Sequence, residues 1–131
     1  MSGTTCVIDH HESPFAIEGS LSVIAKACDD VGIRVNASYG VTDRWTATGR
    51  VSKVSPLSPS TDGAKRGLAE NDRFLGEGGR GMVGVHAAFT CSDETLHAAA
   101  DLALRHRIGV HIHVAESLDD LAAGARLENL A

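Results

Sequence analysis

The chain has 131 residues, enough for one domain but short of a complete eight-stranded (β/α) barrel, which typically needs about 250 residues. Its 17 Asp and Glu against 12 Lys and Arg leave a net charge of −5, and aromatic residues are few, so a basic nucleic-acid platform is excluded. No apolar run reaches the length of a membrane span, and no charged-then-apolar leader opens the chain. Three widely spaced cysteines without a CxxC pair argue against a disulfide framework or structural zinc, and favour a reducing, cytoplasmic setting.

The first predicted strand is Thr4–Asp9, rich in β-branched residues after Gly3. A helix is expected over Leu21–Val31, with Ser20 as N-cap, Leu21, Ile24, Ala25 and Cys28 on its apolar face, and Gly32 as its stop. Ile33–Tyr39 reads as the second strand. Gly40–Thr61 then breaks the rhythm with Gly40, Gly49, Pro56 and Pro59, so residues 40–61 read as a long irregular loop or insert. Helical spacing resumes over Asp62–Glu77 and ends at Gly78-Gly79. The third strand, Met82–His86, leads to a helix capped by Ser92, with Asp93 and Glu94 in its first turn and Arg105-His106-Arg107 at its carboxyl end. Gly109 opens the fourth strand, Val110–Ala115, and Ser117 caps a last helix.

Four consecutive βα units predict an α/β fold with a parallel sheet and right-handed crossovers. In such folds ligand sites collect beyond the carboxyl ends of strands. That is where this sequence places Asp9-His10-His11-Glu12, His86, and His113 with Glu116.

His113 and Glu116 form the sharpest pair. A strand-end imidazole can bind a divalent metal, and a carboxylate three residues on can move protons beside it. The alternative is a core imidazole with Glu116 helping to cap the following helix. His111 shares a face with His113 but lies one layer deeper, which suits a packing or supporting role. His86 is placed to reach a substrate atom or to bond its own loop. Of His10 and His11, neighbours on an extended chain, at most one faces a pocket, and Asp9 or Glu12 could orient it. His97 and His106 read as surface residues, the three cysteines as structural.

Three segments carry a family resemblance: Gly3-Thr4-Thr5-Cys6-Val7-Ile8-Asp9-His10-His11, Gly81-Met82-Val83-Gly84-Val85-His86-Ala87-Ala88-Phe89-Thr90, and His111-Ile112-His113-Val114-Ala115-Glu116. They resemble the amidohydrolase superfamily, in its chlorohydrolase and hydrolytic deaminase branch. The resemblance implies a partial, half TIM-type barrel matching strands two to five, from a metal-dependent enzyme acting on C–N or C–Cl bonds of a nitrogen heterocycle. It implies His113 as a ligand of one divalent metal, zinc or iron, Glu116 as the proton shuttle, and His86 as a substrate-binding residue. His10, from the strand-end cluster Asp9–Glu12, is taken as a second substrate-binding residue on its position alone. The family's remaining ligands, a His-x-His pair, a later His and an Asp, match nothing in this sequence. The 131-residue chain is therefore expected to bind the metal weakly and to be inactive alone.

A small-molecule substrate is the implied partner. The two outer strands would be open apolar edges, so homo-oligomer formation through them is expected. The competing readings are a four-stranded α/β module that binds a small ligand or metal without catalysis, and a purely structural or assembly role.

Overall fold

A computed structural model describes residues 3–44 and 61–116 together with Leu118. Strands and helices alternate as β1 (Cys6–His11), α1 (Ser20–Asp30), β2 (Arg34–Tyr39), α2 (Thr61–Gly76), β3 (Val83–Ala87), α3 (Asp93–His106) and β4 (Val110–His113), with a single 3₁₀ turn at Ala88–Thr90. Most of the irregular segment, and all but Leu118 of the helix expected after Ser117, fall outside the described residues.

Strands β1 and β2 pair in parallel, from Cys6 opposite Arg34 to His11 opposite Tyr39. Strands β3 and β4 also pair in parallel, with an irregularity of register at His86 between Val85 and Ala87. The two pairs are joined by single parallel bridges, Ala37 to Gly81 and Val41 to Val85. The expected alternation of strand and helix is therefore observed, with parallel strands in two small sheets rather than one unbroken sheet.

Alternation along each strand divides the sheet faces. Val35, Ala37 and Tyr39 pack with Ile17, Leu21, Ala64 and Phe74, and half-buried Val7 packs against the same cluster. Val83 and Val85 pack with Ala99, Leu102 and Ala103 of α3, joined by half-buried Ile112. These residues turn one face to the helices. The intervening positions, Ile8, His10, Ser38, Gly84, His111 and His113, belong to the opposite face.

Element boundaries differ from expectation where side chains override local pattern. Strand β1 runs on to His11, so both imidazoles of the Asp9–Glu12 cluster lie within or at the end of a strand. Ser20 is not the N-cap of α1: Gly19 holds that position at φ 80° with no cap from its own side chain. The cap comes from a distance, since the Glu70 carboxylate on α2 accepts from Gly19 N at 2.9 Å and from Leu21 N at 3.1 Å. Ser92 caps α3 as expected, its hydroxyl accepting from Thr95 N at 3.2 Å. Strand β4 ends at His113 and not Ala115, which adopts φ 56°, a left-handed backbone that terminates a strand.

Candidate functional site

Four imidazoles meet on the face opposite the helices. The His10 ring centre lies 4.5 Å from that of His113, 4.9 Å from His111 and 6.5 Å from His86. His86 and His113 are 5.7 Å apart, His111 and His113 6.1 Å. Parallel pairing explains the convergence, because it brings the carboxyl ends of β1, β3 and β4 to the same end of the sheet. The register irregularity at His86 adds a residue opposite β4, a device that re-aims a side chain at the end of a strand.

Small residues make room for the rings. A Cβ on Gly40 would stand 2.4 Å from His10 Nε2, and one on Gly84 would stand 2.3 Å from the Tyr39 carbonyl and 3.1 Å from Ser38 Cβ. The Ser38 hydroxyl donates to the Asp9 carbonyl at 3.0 Å and lies 3.5 Å from His111 Nδ1. His86 is held through Nδ1, 2.9 Å from Thr90 Oγ1, which leaves Nε2 directed elsewhere, 4.0 Å from Glu12 Oε1.

His10 is the unusual member. Both of its ring nitrogens are buried without a hydrogen-bond partner among the described residues, as are Asp9 Oδ2 and Glu12 Oε1. Asp9 and Glu12 therefore do not orient it. Burial, reinforced by His113, His111 and His86, lowers the His10 pKa from 6.5 to about 4, so this ring is neutral at physiological pH. A neutral imidazole offers one donor and one acceptor to whatever enters beside it. His11, on the other face of β1, lies 2.8 Å from Ser13 Oγ and edge-on to Tyr39, away from the cluster.

The candidate residues thus separate. His10, His86 and His113 are brought together, and His111 joins them. Glu116 is exposed, three residues past the end of β4. His106 is not simply a surface residue, since its Nε2 lies 2.6 Å from Asp72 Oδ1 and ties α3 to α2.

Several supporting residues carry no motif. Asp43 is fully buried, and its carboxylate accepts from Ser92 N at 2.6 Å and Thr95 Oγ1 at 3.1 Å, fastening the amino end of α3 to the end of β2. Cys91 donates to the Val41 carbonyl at 3.3 Å, and burial raises its thiol to about 11, consistent with a structural role. Arg44 lies 4.9 Å over the Phe89 ring. Two concavities, of about 360 and 390 Å³, open elsewhere, one against Arg34 and Arg80 and one against α1 and His11. Neither is lined by His10, His86, His111 or His113.

Comparison with known proteins places this geometry. The model of the amidohydrolase family matches residues 1–127. The chain belongs to the amidohydrolase family. A 5'-deoxyadenosine deaminase of Methanocaldococcus jannaschii is 31% identical over 120 residues, covering 92% of this chain and 25% of the relative. A 5-methylthioadenosine/S-adenosylhomocysteine deaminase of Aquifex aeolicus is 32% identical over 120 residues, with 92% and 25% covered. An 8-oxoguanine deaminase of Pseudomonas aeruginosa is 27% identical over 129 residues, with 92% and 28% covered. This amidohydrolase chain thus spans about a quarter of the length of these curated relatives.

Amidohydrolases are TIM-barrel-type proteins that generally use a divalent metal. The imidazole cluster offers the right kind of donor, and neutral His10 has one lone-pair nitrogen without a hydrogen-bond partner among the described residues. Yet no three His, Cys, Asp or Glu among the described residues stand so as to hold an ion. The described residues do not fit a complete metal centre. Among them, no helix is long and apolar enough to cross a membrane.

Proposed function

We infer that this chain is the segment of a metal-dependent hydrolytic deaminase corresponding to strands two to five of its half-closed barrel, acting on a C–N bond of an amino-bearing nitrogen heterocycle. The gathering of His10, His86 and His113 from three different strands at one end of the sheet carries this reading. The deaminase names of the relatives support it. C–Cl hydrolysis, the other reaction of the branch, has no relative of that name among those compared above and is the secondary reading.

In this proposal His113 contributes one ligand to a zinc or iron ion in a complete barrel, and the remaining ligands come from segments that match nothing in this sequence. His86, fixed at Nδ1 by Thr90, presents Nε2 to the substrate. Neutral His10, seated over Gly40, contributes a second contact, itself uncharged, and so suits a neutral ring better than an anion. Glu116, exposed at the rim, moves the proton between the attacking water and the leaving amine. The complete enzyme would act in the cytoplasm on a small molecule. Alone it is inactive, because too few ligands are present to grip the metal.

An ammonia-release assay tests the proposal in two arms. The purified 131-residue chain, supplemented with zinc or iron and 5'-deoxyadenosine, should show no turnover and no stoichiometric metal. A chimera carrying this chain in place of the matching quarter of the Methanocaldococcus jannaschii deaminase should release ammonia. A folded, metal-loaded chimera without turnover on any aminopurine would overturn the deaminase reading, and turnover by the isolated chain would overturn its inactivity.

A further inference from the structure

We propose that Asn71, on α2, is a positioning residue that sets the spacing of the imidazole cluster by standing in for a missing rung between β2 and β3. The proposal deepens the functional reading above and rests on it for its meaning, but its geometry is independent.

On the β3-facing side of β2 the amides of alternate residues find three different acceptors. Ala37 N donates to the Arg80 carbonyl at 3.0 Å, and Val41 N to the Gly84 carbonyl at 3.2 Å. In an unbroken parallel ladder the rung between them would link Tyr39 with Val83. It is absent, and the two small sheets are separate at that level. The Asn71 side chain fills the gap. Its Oδ1 accepts from Tyr39 N at 3.0 Å and lies 3.5 Å from Gly84 N, while its Nδ2 donates to the Tyr39 carbonyl at 3.0 Å and to the Gly67 carbonyl at 3.1 Å. The side chain is fully buried, so these backbone groups have no water to turn to.

The location gives this substitution its consequence. Tyr39 lies between Ser38, which contacts His111, and Gly40, which seats His10. Gly84 lies two residues before His86 and opposite His111. His10 belongs to the β1–β2 half, whereas His86, His111 and His113 belong to the β3–β4 half. The width of the seam therefore fixes the distance from His10 to the other three rings, and an amide wedged into it holds that width. Leucine has the branched outline of asparagine, though it is bulkier, and cannot bond either strand. It would leave Tyr39 N and the Tyr39 carbonyl without these bonds, so that the stretch of seam between the bridges at Ala37 and Val41 is no longer held at its width.

Ring-proton NOEs on the full chain test this. In Asn71→Leu, the contact across the seam between His10 and His113 should vanish, while the contact between His11 and Tyr39, both within the β1–β2 half, should persist. A general loss of stability would weaken the two together. Should that variant fail to fold, hydrogen exchange of the unaltered chain decides. The Tyr39 amide should exchange as slowly as those of Ala37 and Val41, although it has no backbone acceptor. A folded Asn71→Leu chain that keeps the His10–His113 contact, or a Tyr39 amide exchanging at the rate of a free one, would overturn the proposal. Neither readout requires turnover, so failure of the deaminase reading would leave this result standing and recognisable as separate.

Discussion

At Gly40 a single hydrogen in place of a methyl group decides whether the His10 ring can occupy its seat, because a Cβ would come within 2.4 Å of Nε2. The cluster depends on such small residues as much as on its imidazoles. Crowding has an electrostatic result: three other rings and burial disfavour a proton on His10. The unfolded ring titrates near 6.5 and the folded ring near 4, so the unfolded chain binds the extra proton across that interval. Stability therefore falls as pH drops from 6.5 towards 4, and His10→Gln should flatten that limb of a denaturation-versus-pH series. An NMR titration of His10 with a midpoint near 6.5 would contradict the burial argument.

The imidazoles of the cluster were legible because strand-end histidines interrupt apolar runs, as His86 and His113 do. The period of two placed His10 rather than His11 on one face only once the strand's full length was known. Asn71, Asp43 and Glu70 were not legible in the same way, since each bonds backbone groups remote in sequence. One signal was present: Asn71 falls three residues after Leu68 and three before Phe74, a polar side chain on an otherwise apolar helical stripe.

Among elements, α1 shows how a helix end can be secured from outside its own sequence. Its first amides are satisfied by Glu70, whose carboxylate also receives both a 2.8 Å bond from Arg73 Nε and one from Nη2. Burial by itself would raise the Glu70 pKa, but the bonds from Arg73, Gly19 and Leu21 outweigh it and hold the carboxyl below its ordinary value. The ionised form is thus favoured in the folded state, and its contribution is present above the unfolded carboxyl value and lost as pH falls through the lowered folded value. Glu70→Gln should cost about 2 kcal/mol in urea denaturation near neutral pH, by loss of charge-assisted bonds at a buried helix end. An unchanged midpoint would show that Gly19 and Leu21 find other partners. Helix positions were readable from apolar spacing, whereas β1 is displaced by two residues and β4 ends two residues early, because pairing register and the left-handed Ala115, not propensity, set their ends.

For the whole molecule, the parallel order β1–β2 and β3–β4, bridged in the middle, leaves the outer edges of β1 and β4 without a strand partner among the described residues. Ile8 is 63% exposed on the first, Val110 39% on the second. Open apolar edges pair with other chains, so the proposal extends to homo-oligomers formed through them. Light scattering should show a mass above that of the monomer at high concentration, reduced by Ile8→Lys. A strictly monomeric mass would remove this part of the account. The alternation of elements was evident in the sequence, whereas the seam between β2 and β3 was not, because hydrophobic patterning reports which face is buried and not where a ladder breaks.

We propose that the rim of this sheet supplies a deaminase with a metal ligand at His113 and a proton carrier at Glu116. Ammonia release by the chimera, compared with its His113→Ala and Glu116→Gln forms, tests it most directly. Each substitution should abolish turnover, the first together with bound metal and the second without loss of metal. A chimera that releases ammonia at an undiminished rate with either residue replaced would contradict it.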